Sequence, residues 1–315
     1  MEEKLIVSAS PHIRKKTTTT NIMLDVIIAL IPAVIASVVI FGFRALMIIA
    51  DTVLVAVLAE YICRKAMKRE NTITDLSAVV TGLLLALNLP VGINPIFAAF
   101  GSVAAIVVVK QMFGGIGSNF VNPALTARII LLSSFPKAMT TWAEPFYYTK
   151  GTVDAVTCAT PLAQNASGEV TATLKDLFLG TTGGCMGETC ALALILGGIY
   201  LIARRVISPV IPLTYLGTVA VMSLMFGQDI LFQLLSGGLL IGAIFMATDY
   251  TTSPISTKGK FVYAVGCGVL TFLIRNFASL PEGVSFSILI MNILVPLIER
   301  ATNPRPFGEK ESKNA

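Results

Sequence analysis

Charged side chains are scarce in this sequence: only 13% of its 315 residues are Asp, Glu, Lys or Arg, whereas 55% are hydrophobic. Soluble domains average about 25% charged residues. The shortage of charge therefore excludes an ordinary soluble protein. It predicts an integral membrane protein of the all-α class.

Metal ligands are also sparse, with a single histidine, His12, and five cysteines that form no Cys-x-x-C pair. Zinc and iron–sulfur sites need about four Cys or His ligands at close spacing. We therefore expect no metal site built by this chain alone. Most of the cysteines are interpreted as small buried side chains, although Cys158, Cys185 and Cys190 leave a disulfide open in an oxidising compartment.

A cleavable signal peptide is not expected, because the first twenty or so residues are polar and no short apolar region with a small-residue cleavage site follows. The net charge of +5 is explained by the placement of Lys and Arg around the apolar runs. We interpret it as a topology signal and not as a nucleic-acid-binding surface.

Apolar runs long enough to span a bilayer core of about 30 Å, together with two shorter ones, predict about ten transmembrane helices. Five precede a long polar loop and five follow it. The predicted spans are 21–41, 44–63, 76–89, 94–110, 119–134, 185–203, 208–226, 230–248, 260–276 and 283–299.

Lys and Arg are concentrated at one set of helix ends, which predicts that both termini are cytoplasmic and that the long loop lies on the outer face of the membrane. The cytoplasmic set is Arg14, Lys15, Lys16, Arg64, Lys65, Lys68, Arg69, Lys110, Arg204, Arg205, Lys258, Lys260 and Arg300. The outer set is Arg44, Lys137, Lys150, Lys175 and Arg275.

Five helices on each side of a loop indicate two five-helix repeats, and an odd number of spans gives the repeats opposite orientations. We predict a first repeat at 1–135, an outer loop at 136–184, a second repeat at 185–300 and a cytoplasmic tail at 301–315. Gly- and Pro-containing breaks fall at matching places in both halves, at 88–95 and 247–254, and again at 114–123 and 279–283. Such breaks predict short or broken helices around a central site.

Polar residues at these breaks are candidates for a core site that faces a cofactor or an ion. They are Asn119, Asn122, Arg128 and Asp249. Ionisable groups inside a membrane are costly and are functional candidates by default. Arg128 has two open interpretations, a functional charge and one member of a structural ion pair, whereas Asp25, Glu60 and Asp249 are expected near the cytoplasmic interface.

The long loop contains Asp154-Ala155-Val156-Thr157-Cys158-Ala159-Thr160. This order matches the D-x-x-(S/T)-x-A-T acceptor of a flavin transferase, which esterifies the phosphate of FMN to the last threonine. Asp154, Thr157 and Ala159 are then acceptor-motif residues, and Thr160 carries covalent FMN. The other interpretation is a chance match in a loop rich in threonine.

The whole chain resembles the D subunits of Rnf complexes and, more distantly, the B subunit of the sodium-pumping NADH:quinone reductase. The segments that carry the resemblance are Ser10-Pro11-His12, Thr17 to Asn21 with Met23, Gly115 to Arg128, the acceptor ending at Thr160, Ala247 to Pro254, and Pro281-Glu282-Gly283. The family acceptor commonly reads Ser-Gly-Ala-Thr. This chain has Cys158 in place of the glycine.

The resemblance implies an electron-carrying membrane subunit of a complex that couples ferredoxin–NAD⁺ electron transfer to export of Na⁺ or H⁺. It implies covalent FMN on Thr160, a noncovalent riboflavin as a further possibility, and contacts with the FMN-bearing G subunit, the membrane subunits A and E, and lipid. Two alternatives stay open from the residues themselves: a secondary transporter or channel with the same inverted repeat and no redox role, and a purely structural subunit.

Overall fold

A computed structural model describes residues 18–150, 157–167, 172–278 and 283–302. The described residues are predominantly helical, as the composition predicts. The helices of the first half are α1 (Thr19–Phe41), α2 (Phe43–Ala66), α3 (Ser77–Leu87), α4 (Pro95–Val103, continued by a π-helix at Ala104–Gln111) and α5 (Pro123–Ser134).

In its described residues the polar loop holds short elements. They are α6 (Pro136–Met139), α7 (Pro161–Ser167), α8 (Leu174–Leu179), a 3₁₀-helix at Tyr147–Lys150, and strands β1 (Trp142–Ala143) and β2 (Thr157–Cys158). The second half contains α9 (Ala191–Ala203), α10 (Val210–Met225), α11 (Ile230–Leu235), α12 (Leu239–Ile241, continued by a π-helix at Gly242–Met246), α13 (Thr257–Phe277) and α14 (Val284–Thr302).

Asn-Pro pairs begin two of the helices that follow a break. Asn94 accepts a hydrogen bond from the Ile96 amide, and Asn122 accepts from the amides of Ala124 and Leu125. In both cases proline takes the first helical position, where its missing N–H costs nothing. The sequence therefore restarts a helix immediately after each irregular segment.

Within the described residues, α1, α2, α13 and α14 are long and apolar enough to cross a membrane, and shorter apolar helices accompany them. Nine of the ten predicted spans correspond to a single helix each, with ends that differ by a few residues. The prediction for 230–248 is wrong in one respect. Ser236, Gly237 and Gly238 divide this span into α11 and α12, because Gly237 adopts a left-handed conformation with φ +65°.

The two halves repeat the same packing. Helix α2 packs on α3 and α4, and α10 packs on α11 and α13. The first helices of the halves, α1 and α9, contact each other and run in opposite directions. Asp25 near the start of α1 bonds Arg204 just beyond the end of α9, while Ile40 near the end of α1 lies beside Cys190 at the start of α9.

This antiparallel contact is close because Gly197 faces the Ala29 carbonyl, where any side chain on Gly197 would overlap the backbone of α1. Small residues allow such close helix approach in membrane proteins. The fifth helices pair in the same way: Asn122 at the start of α5 lies opposite Asn292, and Arg128 further along lies opposite Ser285 near the start of α14. Corresponding helices are therefore inverted, as predicted.

Helix α1 defines the two faces of the molecule. With 23 residues it is about 35 Å long. At its end, the Phe146 amide donates to Ile40 O and the Tyr148 hydroxyl donates to Val39 O, which attaches the polar loop there. We call this end the acceptor face and the end bearing Thr19 the opposite face.

Candidate cofactor sites

The acceptor segment is held by a short antiparallel ladder in which Trp142 pairs with Cys158 and Ala143 with Thr157. Cys158 is partly buried, with its Sγ against Gly183. Burial raises the pKa of the Cys158 thiol, and the Glu144 carboxylate adds to the shift. Asp154, the first residue of the motif, lies outside the described residues, and Thr157 is described by its backbone only.

Thr160 ends this segment and caps α7. Its side-chain oxygen accepts a hydrogen bond of 3.2 Å from the Ala163 amide. The residue is only 5% exposed, whereas Ala159 beside it is exposed. The acceptor hydroxyl therefore faces the protein interior.

A cavity of about 360 Å³ adjoins the segment, and we call it the loop cavity. Ligand pockets start at about 300 Å³, so it is large enough for a ring system. Its walls are Glu144, Pro145, Phe146, Cys158, Ala159, Pro161, Gln164, Ala172, Asp176, Thr181, Thr182 and Gly183. Hydrogen bonds from the Thr173 and Thr181 hydroxyls lower the pKa of Asp176, so this wall is anionic at neutral pH.

Thr160 itself lines a second, much smaller space of about 10 Å³, which we call the Thr160 pocket. Pro161, Thr182 and Gly183 line both spaces, so the two are adjacent. The pocket is also lined by Glu188 and Thr189, which are 7% and 3% exposed. Among the described residues neither Glu188 Oε2 nor Thr189 Oγ1 has a hydrogen-bond partner.

Unpartnered buried polar atoms are rare in native proteins and call for an explanation. Seven such atoms occur among the described residues, and four of them lie at or near the Thr160 pocket. The other three are Asp51 Oδ2, Arg64 Nε and Gln111 Oε1. Ser236 Oγ and Arg275 Nε, close to the pocket wall at Gly237, are likewise without a partner in the described part of the chain. The donor set of hydroxyls and a guanidinium fits a phosphate group attached to Thr160.

A third space, of about 390 Å³, opens near the opposite face. We call it the opposite-face cavity. Its lining is mostly apolar, with Thr19, Leu84 and Phe245 among the walls, and it includes Asn119, Asn122 and Asp249. Asn122 Nδ2 donates to Met246 O at 3.3 Å, and Asp249 accepts from the hydroxyls of Thr251 and Thr252.

Three of the four predicted core residues thus meet at one cavity, whereas Arg128 does not line it. Arg128 is 5% exposed and lies deeper, between the halves. Its Nη1 donates to Asn88 Oδ1 and to Ser285 Oγ, both at 3.1 Å, and its Nη2 donates to Cys185 Sγ at 3.2 Å. Arg128 therefore belongs to the packing between the two repeats, nearer to Glu188 than to Asp249.

Sequence reasoning missed a charged cluster beside the opposite-face cavity. Lys110 Nζ donates to Glu60 Oε2 at 2.8 Å and to Ser77 Oγ at 2.6 Å, and Gln111 donates to Glu60 Oε1 at 3.0 Å. Glu60 is 0% exposed and Lys110 only 3%. Glu60 is therefore enclosed by protein, and its position near the cytoplasmic interface stays a prediction. Lys110, which was counted in the cytoplasmic set of cations, is buried.

The π-helix at the end of α4 explains why the sequence pattern did not reveal this pair. Its wider turn carries Lys110 and Gln111 inwards towards α2, and such turns are common at functional sites. Regular helical periodicity has no signal for them. The only sequence signal was the position of Glu60 within an apolar run.

No disulfide links the five cysteines, all of which lie in the described residues. The same part of the chain holds no group of three or more His, Cys, Asp or Glu side chains that could bind a metal.

Fold and sites together define a multi-pass helical membrane protein with an inverted repeat and separate cavities near its two faces. The chain belongs to the NQR2, RnfD, RnfE family, whose model matches residues 6–308. The match covers both halves and the loop.

Curated relatives align over almost the whole chain. The D subunit of the Na(+)-translocating ferredoxin:NAD(+) oxidoreductase complex of Acetobacterium woodii is 49% identical over 99% of both chains. The D subunit of the proton-translocating complex of Clostridium ljungdahlii is 43% identical over 96% of both. The D subunit of the ion-translocating oxidoreductase complex of Stutzerimonas stutzeri is 39% identical over 93% of both.

Proposed function

We propose that this chain is the D subunit of an ion-translocating ferredoxin:NAD⁺ oxidoreductase complex, in which it relays electrons through FMN covalently bound at Thr160. Full-length similarity to the D subunits of two such complexes supports the assignment. One of these relatives is named for Na⁺ and the other for protons. The proposal therefore extends to export of an ion but not to which of the two.

The observation that carries the flavin proposal is the position of Thr160. The final threonine of a D-x-x-T-x-A-T sequence lies beside two adjacent spaces, and the smaller one is lined by two polar atoms that have no partner among the described residues. In the transfer step, Thr160 Oγ1 would attack the FMN phosphorus of FAD. The new bond is Oγ1–P, the bond from phosphorus to the AMP oxygen breaks, AMP leaves, and the hydroxyl proton is released.

Once attached, FMN supplies one- and two-electron chemistry that no side chain of this composition provides. The residues of the chain serve to bind it and limit water access. Thr160 would hold the phosphate through its ester, and the walls of the loop cavity, among them Cys158, Ala159 and Thr182, would hold the remainder. Asp154 and Thr157 stay predicted acceptor residues.

The opposite-face cavity is the proposed place for a noncovalent riboflavin. Large, mostly apolar spaces with a few convergent polar groups are typical small-molecule sites, and Asn119, Asn122 and Asp249 supply such groups. Arg128 is not proposed as a direct contact there, because it does not line the cavity.

The arrangement in the membrane follows the charge bias. We propose cytoplasmic termini in a bacterial inner membrane, with Thr160 on the outer face. There it would meet the FMN-bearing G subunit, while subunits A and E would pack against the membrane helices. A cysteine introduced beside Lys137 should then react with an impermeant thiol reagent added outside cells.

The decisive experiment is the intact mass of the purified chain after coexpression with a flavin transferase. We expect the mass of one FMN less water in the parent chain and none in Thr160→Ala. The matched control is Thr149→Ala, which removes an exposed hydroxyl of the same loop. Equal flavin in Thr160→Ala and in the parent would refute the site, and no flavin in any of them would favour the transporter or structural alternatives.

A further inference from the structure

Arg275 lies near the end of α13 and is bonded only to neutral oxygens. Its Nη1 donates to Gln233 O at 2.8 Å and to Gln233 Oε1 at 3.2 Å, and its Nη2 donates to Ser236 O at 3.0 Å. No carboxylate lies within ion-pair distance of it in the described ranges. A cation held inside a membrane protein without such a partner is costly, so the site is suited to an anion.

Gly237 connects Arg275 to the acceptor. It forms part of the wall of the Thr160 pocket. A Cβ on Gly237 would lie 3.2 Å from Arg275 Nη2 and 2.7 Å from Leu162 Cδ1. Gly237, between α11 and α12, therefore lines the pocket and also contacts the guanidinium, and it has no side chain that would separate the two.

Two hydroxyls complete the donor set. Thr189 lines the pocket, and Ser236 is the residue whose carbonyl accepts a hydrogen bond from Arg275. Neither Thr189 Oγ1 nor Ser236 Oγ has a partner among the described residues. Both residues are at most 3% exposed. Burying a hydroxyl without a hydrogen-bond partner is unfavourable, so a group with several acceptor oxygens would stabilise both.

Glu188 also lines the pocket, and its charge must be balanced elsewhere. Its Oε1 accepts from the Cys185 amide at 2.7 Å. A Cβ on Gly238 would lie 3.3 Å from Glu188 Oε2 and 3.8 Å from Arg128 Nη1, so the carboxylate and the Arg128 guanidinium approach the same point. The charge of Glu188 acts on both Arg128 and Arg275. Two guanidinium groups thus share one carboxylate, which leaves one positive charge for another anion.

We propose that Arg275, with the Thr189 and Ser236 hydroxyls, binds the phosphodiester that links FMN to Thr160. The linkage carries one negative charge and two free oxygens, which suits one guanidinium and two hydroxyl donors. The inference rests on the proposed flavinylation. The pocket of about 10 Å³ holds about one water, so the phosphate also occupies the junction with the loop cavity.

The test compares the full chain with and without FMN, prepared by expression with and without the transferase. Intact mass first establishes how much of each sample carries FMN. The midpoint of thermal unfolding is then measured for the parent, Arg275→Gln, Arg275→Lys and the control Arg204→Gln. Arg204 is more than half exposed and lies on the opposite face.

We expect FMN to raise the unfolding midpoint of the parent and of Arg204→Gln equally. At least half of that gain should be lost in Arg275→Gln. Part of it should be retained in Arg275→Lys, because lysine keeps the positive charge but lacks the planar guanidinium that can donate two parallel hydrogen bonds. An equal gain in Arg275→Gln, or no gain in the parent, overturns the inference even when the mass shows FMN. Absence of FMN from the parent instead overturns the proposed function.

If Arg275→Gln fails to accumulate, Ser236→Ala and Thr189→Val carry the test, because each removes an unpartnered hydroxyl and no existing hydrogen bond. Each should lower the gain from FMN and leave the midpoint of the FMN-free chain unchanged. If both leave the gain at the parent value, the inference is wrong.

Discussion

Two clusters of charged and polar side chains lie near opposite faces of this protein, and their hydrogen bonding differs. Near the opposite face, Glu60 accepts from Lys110, Gln111 and Thr72, and Lys110 also donates to Ser77. Near the acceptor face, polar atoms of Glu188, Thr189, Ser236 and Arg275 have no partners in the described part of the chain. Glu60 and Lys110 are therefore satisfied by the chain itself, although Gln111 Oε1 beside them has no partner among the described residues. The second cluster holds four atoms without partners there.

The difference separates structural charges from charges kept for a ligand. The attraction within a buried ion pair offsets the cost of desolvating it only when the remaining donors and acceptors of both groups are also satisfied. Glu60 and Lys110 meet this condition. Unsatisfied polar groups persist where function demands them. The two clusters contain similar residue types but therefore have different roles.

Lys110→Met should break the first cluster and have the largest effect on stability. It leaves Glu60 buried without its cation, and removal of one partner of a buried pair costs about 3 to 5 kcal/mol. The measurement is the free energy of unfolding in detergent. The control is Lys258→Met, at an exposed lysine, which should change stability by less than about 0.5 kcal/mol. A loss below about 1 kcal/mol for Lys110→Met would show that the pair is not structural.

Ser77→Ala and Ser236→Ala apply one substitution to both clusters and sharpen the comparison. Ser77 Oγ donates to Asp75 Oδ1 at 2.5 Å and accepts from Lys110 at 2.6 Å. Its loss should cost about 1 to 3 kcal/mol, because buried partners are left unsatisfied. Ser236 Oγ has no partner within the described residues, so its loss in the FMN-free chain should stay within about 0.5 kcal/mol.

Unfolding of both serine variants under identical conditions provides the check. Equal losses would mean that the two clusters do not differ in the way their hydrogen bonds indicate. A larger loss for Ser236→Ala would show that its hydroxyl has a structural role.

The sequence was sufficient for the membrane class, the helices and the inverted repeat, because hydropathy and break positions depend on local composition. It also predicted one core site for Asn119, Asn122, Arg128 and Asp249, of which three line one cavity and Arg128 does not. These features need no knowledge of side-chain contacts.

Contacts between distant segments were not predictable in the same way. The π-helix that turns Lys110 towards Glu60 has no periodic signature, and the division of 230–248 depends on the left-handed Gly237. Arg275 was assigned to the outer side from charge counting alone. Its position beside the Thr160 pocket emerges only when α7, α11 and α13 are packed together.

The smallest expected effect comes from the ion pair between Asp25 and Arg204, which is exposed and close to the opposite face. Arg204 Nη2 lies 3.3 Å from Asp25 Oδ2, and the Arg204 side chain is 58% exposed. Solvent screens such a pair, and exposed pairs contribute about 0 to 1 kcal/mol. Asp25→Asn should therefore destabilise the chain by less than about 1 kcal/mol, although the pair joins α1 to α9.

The dependence of the unfolding free energy on salt concentration tests this explanation. The difference in unfolding free energy between the parent and Asp25→Asn should shrink further when NaCl is raised from low to about 1 M, where the screening length falls to about 3 Å. The Lys110→Met difference should not change, because Glu60 is enclosed. An Asp25→Asn effect above about 2 kcal/mol that persists at high salt would place this pair with Glu60 and Lys110 among the structural charges. It would also show that solvent exposure does not distinguish ion pairs that stabilise the fold from those that do not.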